Sequence, residues 1–123
     1  MESSTITYDQ LLEEVKKIPM SEPRMDFPNI MEFVMRTDFV MRLHVAFQKF
    51  FGEDFKAPGE TPTTNDRRRA IFLGGIRPDQ TLYFTETDEF AHCAMLWPWS
   101  DGRRVTVRIG CKTKSLSTQK NHH

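Results

Sequence analysis

Residues 90–104, FAHCAMLWPWSDGRR, combine an apolar run, a turn signal and the start of a basic strand. Ser100, Asp101 and Gly102 are residue types that favour tight turns, and the residues on both sides favour strands. The stretch therefore predicts a β-hairpin. The register of this hairpin decides the fold in detail, because a shift by one residue moves every side chain to the other face of the sheet.

Two registers fit the hairpin. A two-residue turn places His92 opposite Cys111 on the core face. A type I turn with Gly102 in a left-handed bulge instead pairs Cys93 with Ile109, and it aligns large apolar side chains with β-branched ones. We favour the second register. It predicts that both cysteines face the core and that His92 lies on the outer face of the sheet.

Working outward from the hairpin, turn signals divide the C-terminal half into four runs of strand-forming residues. These runs cover roughly 68–74, 80–86, 89–97 and 103–111. The short connections between them are typical of antiparallel neighbours. The pattern predicts an antiparallel meander of four strands.

The N-terminal half has the pattern of two helices. Thr7 and Gln10 have the spacing of a capping box at the start of a short helix, which Pro19 ends. A long helix is predicted over 28–52, from a proline at its first position to a C-cap at Gly52. One face of this helix is broad and apolar, as expected for a helix that covers a sheet.

A second stripe on the long helix has the spacing of a helix-helix seam, with intervals of three and four residues. Its members are Ile30, Val34, Thr37, Met41, His44 and Gln48. A helix with two buried faces needs a second packing partner. That partner is either the first helix of the same chain or the same helix of a second subunit.

The predicted fold class is α+β, with two N-terminal helices, one short and one long, packed on a four-stranded antiparallel β-meander. We expect one domain over residues 1–112, because a chain of this length supports a single core. It consists of a helical half at 5–52, a loop at 53–66 and a strand half at 67–112. Residues 113–123 are predicted to form a flexible tail, and its closing histidines resemble a purification tag.

The charge balance limits the function classes. The 123-residue chain carries 17 Lys and Arg against 17 Asp and Glu, so no whole-molecule field draws it to nucleic acid or to anionic membrane. The charges are nevertheless uneven, since the N-terminal half is acidic and the C-terminal half basic. No export signal and no run of eighteen apolar residues occurs, which predicts a cytoplasmic protein with no membrane partner.

Chemical motifs are sparse. Cys93 and Cys111 lack CxxC spacing, and His44 and His92 lack the spacing of metal ligands. His92 and Cys93 are neighbours in a strand and so point to opposite faces, which argues against a catalytic dyad. We therefore predict no catalytic residues, no metal and no cofactor, and we expect a protein that is not an enzyme.

Three functional hypotheses remain. The first is a non-catalytic binding or regulatory protein that acts through protein-protein contacts and self-associates as a homodimer. It would use the helix seam or a basic and aromatic outer sheet face. The residues of that face are Tyr83, Phe90, His92, Trp99, Arg104 and Arg108.

The second hypothesis is nucleic-acid binding by the basic strand half, with phosphate contacts from arginine and lysine side chains. The candidate residues are Arg67, Arg68, Arg69, Arg103, Arg104, Arg108 and Lys112. The third is a small-ligand or enzymatic cone-shaped α+β domain with a pocket between helix and sheet. Its polar candidates are Asp38, His44, Tyr83 and Glu86.

Overall fold

The computed structural model describes residues 6–27, 29–53 and 55–114. The helices are α1 (Tyr8–Lys16), α2 (Val40–Phe51) and α3 (Thr64–Ala70), with short 3-10 turns at Thr37–Phe39 and Ile71–Leu73. The strands are β1 (Glu22–Phe27), β2 (Ile30–Arg36), β3 (Phe55–Lys56), β4 (Thr81–Glu86), β5 (Phe90–Pro98) and β6 (Arg104–Thr113). They form one antiparallel sheet in the order β1-β2-β6-β5-β4-β3. The α+β class is confirmed, but the sheet in this part of the chain has six strands rather than four.

Helix α1 begins where the sequence predicts it. The Thr7 hydroxyl accepts from the Gln10 backbone at 3.1 Å, and the Gln10 side chain accepts from the Thr7 backbone at 2.9 Å. Two of the backbone N–H groups left unpaired at the start of the helix are thereby satisfied. Leu11 and Val15 are fully buried in the apolar cluster that α1 forms with α2 and the sheet, so the capping box and the apolar stripe together fix this helix.

The long helix predicted over 28–52 is wrong in its first half. Ile30–Arg36 is strand β2, which pairs with β1 on one side and β6 on the other, and α2 begins only at Val40. Five consecutive residues of β2 are buried because both faces of the sheet are covered. A strand that is buried on both faces reads as a continuous apolar run, and periodicity cannot distinguish it from a buried helix.

The strand predicted over 68–74 is also wrong, because this segment is the end of α3 and a 3-10 turn. Thr63 caps α3 in a second capping box with Asp66. The predicted loop at 53–66 likewise contains β3 and the start of this helix. The capping box is the local signal that the strand interpretation overlooked.

The remaining three strand predictions are confirmed as β4, β5 and β6. Strand β6 runs to Thr113, one residue into the predicted tail, and the part of the tail from 115 onward lies outside the described residues. None of the described helices is both long enough and apolar enough to cross a membrane.

The favoured hairpin register is wrong, and the alternative pairing is observed. His92 lies opposite Cys111, as in the register of the two-residue turn. The loop itself is longer: the Trp99 backbone N–H donates to the Arg104 carbonyl at 2.9 Å, and Gly102 has a left-handed φ of 71°. Because both faces of the sheet are buried, the apolar ladder could not discriminate between the registers.

The core therefore has two layers. The first face of the sheet packs under α1 and α2, and the second face packs under α3 and the 3-10 turn that follows it. Residues buried on the first face include Phe33, Met35, Leu43, Phe47, Tyr83, Ala94, Leu96, Val107 and Ile109. Those on the second are Ala70, Leu73, Leu82, Cys93 and Met95.

Candidate functional site

The second face of the sheet carries a group of tryptophan and arginine side chains beside the area that α3 covers. We call it the Trp–Arg cluster, and its members are Arg24, Glu32, Trp97, Trp99, Arg104 and Arg108. Four elements supply them: β1, β2, β6 and the end of β5 with its following loop. The register brings them together, since Glu32 lies opposite Arg108 across β2 and β6.

Trp99 occupies the outer part of the cluster and is half-buried. The Arg104 guanidinium carbon lies 4.2 Å from the centroid of the Trp99 ring, and that of Arg24 lies 5.9 Å away. The indole N–H donates to the Thr106 hydroxyl at 2.8 Å. These contacts hold the indole in one orientation while leaving part of the ring accessible.

Arg108 joins the cluster to the interior. Its Nε donates to Glu32 Oε1 at 2.7 Å, and its Nη1 donates to the Leu73 carbonyl at 2.6 Å. A further contact from Nη2 reaches the same carboxylate oxygen. The Glu32 side chain is only 8% exposed, so this is a buried, hydrogen-bonded ion pair. It ties the 3-10 turn after α3 to the centre of the sheet.

Each guanidinium of the cluster has a carboxylate within reach. Arg104 contacts Asp101 at 2.8 Å, and Arg24 contacts Glu22 at 3.6 Å, in addition to the pair already described. Hydrogen bonds from the Arg103 backbone and the Arg104 side chain lower the pKa of Asp101. The cluster is therefore a mosaic of both signs rather than a cationic surface.

A cavity of about 420 Å³ adjoins the cluster, between Trp97, Arg108 and the turn at Gly74 and Gly75. Both glycines have left-handed φ values, 103° and 100°. Glycine adopts this conformation without strain, and the turn forms one wall of the cavity. The cavity extends the recessed surface beside the half-buried Trp97.

The predicted outer sheet face is only partly assembled. Trp99, Arg104 and Arg108 do lie together, in the Trp–Arg cluster. Tyr83 and His92, however, are buried on the first face. The observed register and the cover provided by α1 and α2 explain this, because they place the even-numbered residues of β5, and Tyr83 opposite Ala94, on the first face. Phe90 lies near His92 and is 39% exposed.

The predicted helix seam does not exist as one stripe. Ile30 and Val34 belong to β2, and Thr37 belongs to the 3-10 turn before α2. Met41 is 72% exposed on α2. His44 and Gln48 are half-buried, and both hydrogen-bond to the Tyr83 hydroxyl. The seam prediction is wrong because it assumed that Ile30 and Val34 lie on the same helix as His44. That helix begins only at Val40, ten residues after Ile30.

The residues proposed for nucleic-acid contact are spread over α3, the hairpin loop and β6. Three consecutive arginines on a helix point in different directions, about 100° apart. Arg68 donates to the Asn65 side chain at 2.7 Å, and Arg69 lies 4.3 Å from the Phe84 ring. Lys112 lies 5.2 Å from the Phe72 ring. Arg67 and Arg103 are exposed.

Two of the four polar residues predicted for a ligand pocket, His44 and Tyr83, lie in contact. His44 Nδ1 lies 2.7 Å from the Tyr83 hydroxyl, and Phe55 stacks on Tyr83 at 4.7 Å. Burial lowers the pKa of His44 and raises that of Tyr83 to about 12. Asp38 and Glu86 are exposed instead, in ion pairs with neighbouring basic residues. The contact between His44 and Tyr83 is therefore a hydrogen bond within the packing of α2 on the sheet.

The two cysteines lie on opposite faces of the sheet, which contradicts the prediction that they share the core face. Cys93 is fully buried, and burial raises the pKa of its thiol to about 12. Burial also raises the pKa of Cys111. Within the described residues, no three His, Cys, Asp or Glu side chains are placed to hold a metal ion. His92 and Cys93 point to opposite faces, as predicted.

Sequence reasoning missed Arg24, Glu32 and Trp97. Glu32 carries the clearest signal, because it is the only charged residue in the run NIMEFVM. A lone charge in a buried strand needs a partner of opposite sign. The partner itself, Arg108, is not identifiable from the local sequence.

Comparison with protein-family models, with curated proteins and with solved structures finds no match. The function must therefore be argued from the chemistry of the site, since a fold by itself does not specify one.

Proposed function

We propose that this protein is a non-catalytic binding protein whose Trp–Arg cluster contacts a protein surface, that of a second copy of the same chain. The observation that carries the proposal is Trp99, which is half-buried and has the guanidinium groups of Arg104 and Arg24 within 4.2 Å and 5.9 Å of its ring centroid. Tryptophan and arginine are the residue types that dominate binding energy at protein interfaces.

The cluster is organised before any partner arrives. The hydrogen bond from the Trp99 indole to Thr106 and the stacked Arg104 guanidinium restrict the motion of both side chains. A side chain that is already ordered loses less conformational entropy on binding. This supports a docking role for the ring rather than a purely structural one.

The charge pattern supports a protein partner over nucleic acid. Phosphate binding gains from cations whose charge is not already neutralised. Arg24, Arg104 and Arg108 each contact a carboxylate. A surface with both signs does not repel a second copy of itself, and a two-fold contact allows each arginine to meet a carboxylate of the partner.

Non-catalytic action is supported by the state of the reactive groups. A thiol nucleophile needs a lowered pKa, whereas burial raises the pKa of both cysteines. His44, a candidate base, is hydrogen-bonded to Tyr83 in the packing of α2 on the sheet.

The test is light scattering on a size-exclusion column over a wide range of protein concentration. We expect a dimer that the Trp99→Ala and Arg104→Glu variants convert to monomer. Arg42→Glu, an exposed arginine on α2, is the matched control and leaves the mass unchanged. A wild-type protein that stays monomeric at every concentration would contradict self-association.

The same column run tests the nucleic-acid alternative through the absorbance of the peak. Co-purifying nucleic acid, together with a salt-dependent shift of labelled single-stranded RNA, would favour that hypothesis. The discriminating variant is then Arg67→Ala with Arg103→Ala, which removes two exposed arginines outside the Trp–Arg cluster.

A further inference from the structure

A second cleft lies far along β5 from the Trp–Arg cluster, where the start of α1 meets the end of α2. Its volume is about 450 Å³. Six of the residues that line it are Ile6, Tyr8, Phe50, Phe90, His92 and Cys111. Most of these side chains are apolar, and three carry aromatic six-membered rings. A cleft of this size and composition is typical of small-molecule sites.

His92 is the unusual feature of this cleft. It is only 5% exposed, and its Nδ1 is buried without a hydrogen-bond partner in the described part of the chain. Three rings surround the imidazole: the centroid distances are 4.6 Å to Tyr8, 5.1 Å to Phe50 and 6.1 Å to Phe90. A buried polar atom without a partner is costly, and in native proteins it calls for an explanation.

The other described histidine shows that an unpaired imidazole is not imposed by this fold. His44 also lies between a helix and the first face of the sheet, but its Nδ1 has the Tyr83 hydroxyl at 2.7 Å. An apolar residue at position 92 would fill the same space among the rings without leaving a polar atom unpaired. His92 lines the cleft, so a partner from outside the protein reaches the imidazole there once the surrounding rings shift enough to open its buried Nδ1.

We infer that this cleft binds a small, flat, mainly apolar molecule that carries one hydroxyl or N–H group and hydrogen-bonds to the imidazole of His92. The aromatic walls supply contacts for a flat ring. A neutral imidazole offers one acceptor and one donor, which suits a hydroxyl or an N–H. Burial lowers the pKa of His92, so the neutral ring is the relevant form at neutral pH.

The test compares two probes of nearly the same shape, p-cresol and toluene, of which only the first carries a hydroxyl. Each is titrated into the full-length ¹⁵N-labelled protein and followed by NMR. We expect saturable shifts of the amides around the cleft, with p-cresol bound roughly five- to tenfold more tightly than toluene, as one hydrogen bond provides.

Three variants assign the effect. His92→Phe keeps an aromatic ring but removes the nitrogens, so it equalises the two affinities. Phe27→Leu changes an aromatic residue of β1 that is 58% exposed and lies outside both the cleft and the Trp–Arg cluster, and it keeps the preference for p-cresol. Phe90→Ala removes a partly exposed wall of the cleft and keeps His92, so it weakens the binding of both probes. This last variant keeps the test valid if His92→Phe does not fold.

Three results would overturn the inference. They are shifts that do not saturate, saturable shifts that centre on residues outside the cleft, and a preference for p-cresol that survives in His92→Phe. These outcomes are independent of the oligomeric state, so they separate this inference from the proposed function.

Discussion

The two faces of the sheet are built on different principles. The first face, under α1 and α2, is closed by fully buried apolar and aromatic side chains such as Phe47 and Val107. The second face is covered by the short α3 on its β4 and β5 side, and beside that cover it carries a buried ion pair and two half-buried tryptophans. One sheet thus separates the bulk of its apolar core from a surface of paired charges and half-buried indole rings.

The difference has an energetic reason. Apolar burial is non-directional and depends on the area removed from water. A buried ion pair adds little net stability. Removing only one of its members is strongly destabilising, however, because the other charge stays buried without a partner. We therefore expect the largest losses to come from changes of volume on the first face and from changes of pairing on the second.

The largest effect is expected on the first face. Phe47 is fully buried and lies 5.2 Å from the Tyr83 ring and 5.7 Å from the Phe51 ring. Phe47→Ala should lower the free energy of unfolding by about 3–5 kcal/mol, measured by urea denaturation. The control on the same helix is Val45→Ala, which removes an exposed side chain and changes it by less than about 0.5 kcal/mol. Equal losses would contradict the layered core.

The second-largest effect is expected when the ion pair between Glu32 and Arg108 is broken. Glu32→Ala leaves Arg108 without its carboxylate, and we expect a loss of about 2–4 kcal/mol, reduced from the fully buried case because Arg108 is partly exposed. The double variant Glu32→Met with Arg108→Met should recover more than half of it. Asp38→Ala removes an exposed partner of Arg36 and serves as the control. A double variant no more stable than Glu32→Ala would show that pairing is not the cause.

A smaller effect is expected where the 3-10 turn approaches the second face. A Cβ atom at Gly110 would lie 2.9 Å from Leu73 Cδ2 and 3.0 Å from Phe72 Cε2. Gly110→Ala should therefore cost about 1–2 kcal/mol through overpacking. Combining it with Leu73→Ala relieves the crowding, so the two losses should not add. Additive losses would place the two residues out of contact.

The smallest effect is a difference between the two faces in how the free energy of unfolding depends on pH. Burial lowers the pKa of His44 and His92, both on the first face, below the unfolded value near 6.5. The unfolded chain then binds more protons than the folded chain. The contribution of the two histidines to the free energy of unfolding is therefore fully present above about pH 6.5, and it is lost as the pH drops toward the folded pKa values. Asp101, beside the Trp–Arg cluster, has a lowered carboxyl pKa, so its contribution is lost only in stronger acid.

Urea denaturation between pH 7.5 and pH 5 measures this dependence. His92→Phe should flatten the slope, and Asp101→Asn should leave it unchanged over the same range. A slope that is identical in wild type and His92→Phe would show that His92 does not titrate differently in the two states.

Local signals predicted the elements that local interactions stabilise. The start of α1 follows from its capping box, and β4, β5 and β6 follow from strand-forming runs bounded by turns. The long helix failed because Ile30–Arg36 is buried on both sides, which removes the alternation that marks a half-buried strand. The candidate site was predicted in part: Trp99, Arg104 and Arg108 lie within one short hairpin, whereas Arg24 and Glu32 reach it from distant β1 and β2.

The sequence by itself determined the α+β class, the caps of α1, the hairpin turn around Gly102 and the opposite orientation of His92 and Cys93. Each depends on contacts between residues close together in the chain. Tertiary structure alone decided the insertion of β2 beside β6, the hairpin register and the pairing of Glu32 with Arg108, 76 residues away. The physical reason is that non-local pairing is selected by the total burial on both faces of the sheet, which no short stretch of sequence encodes.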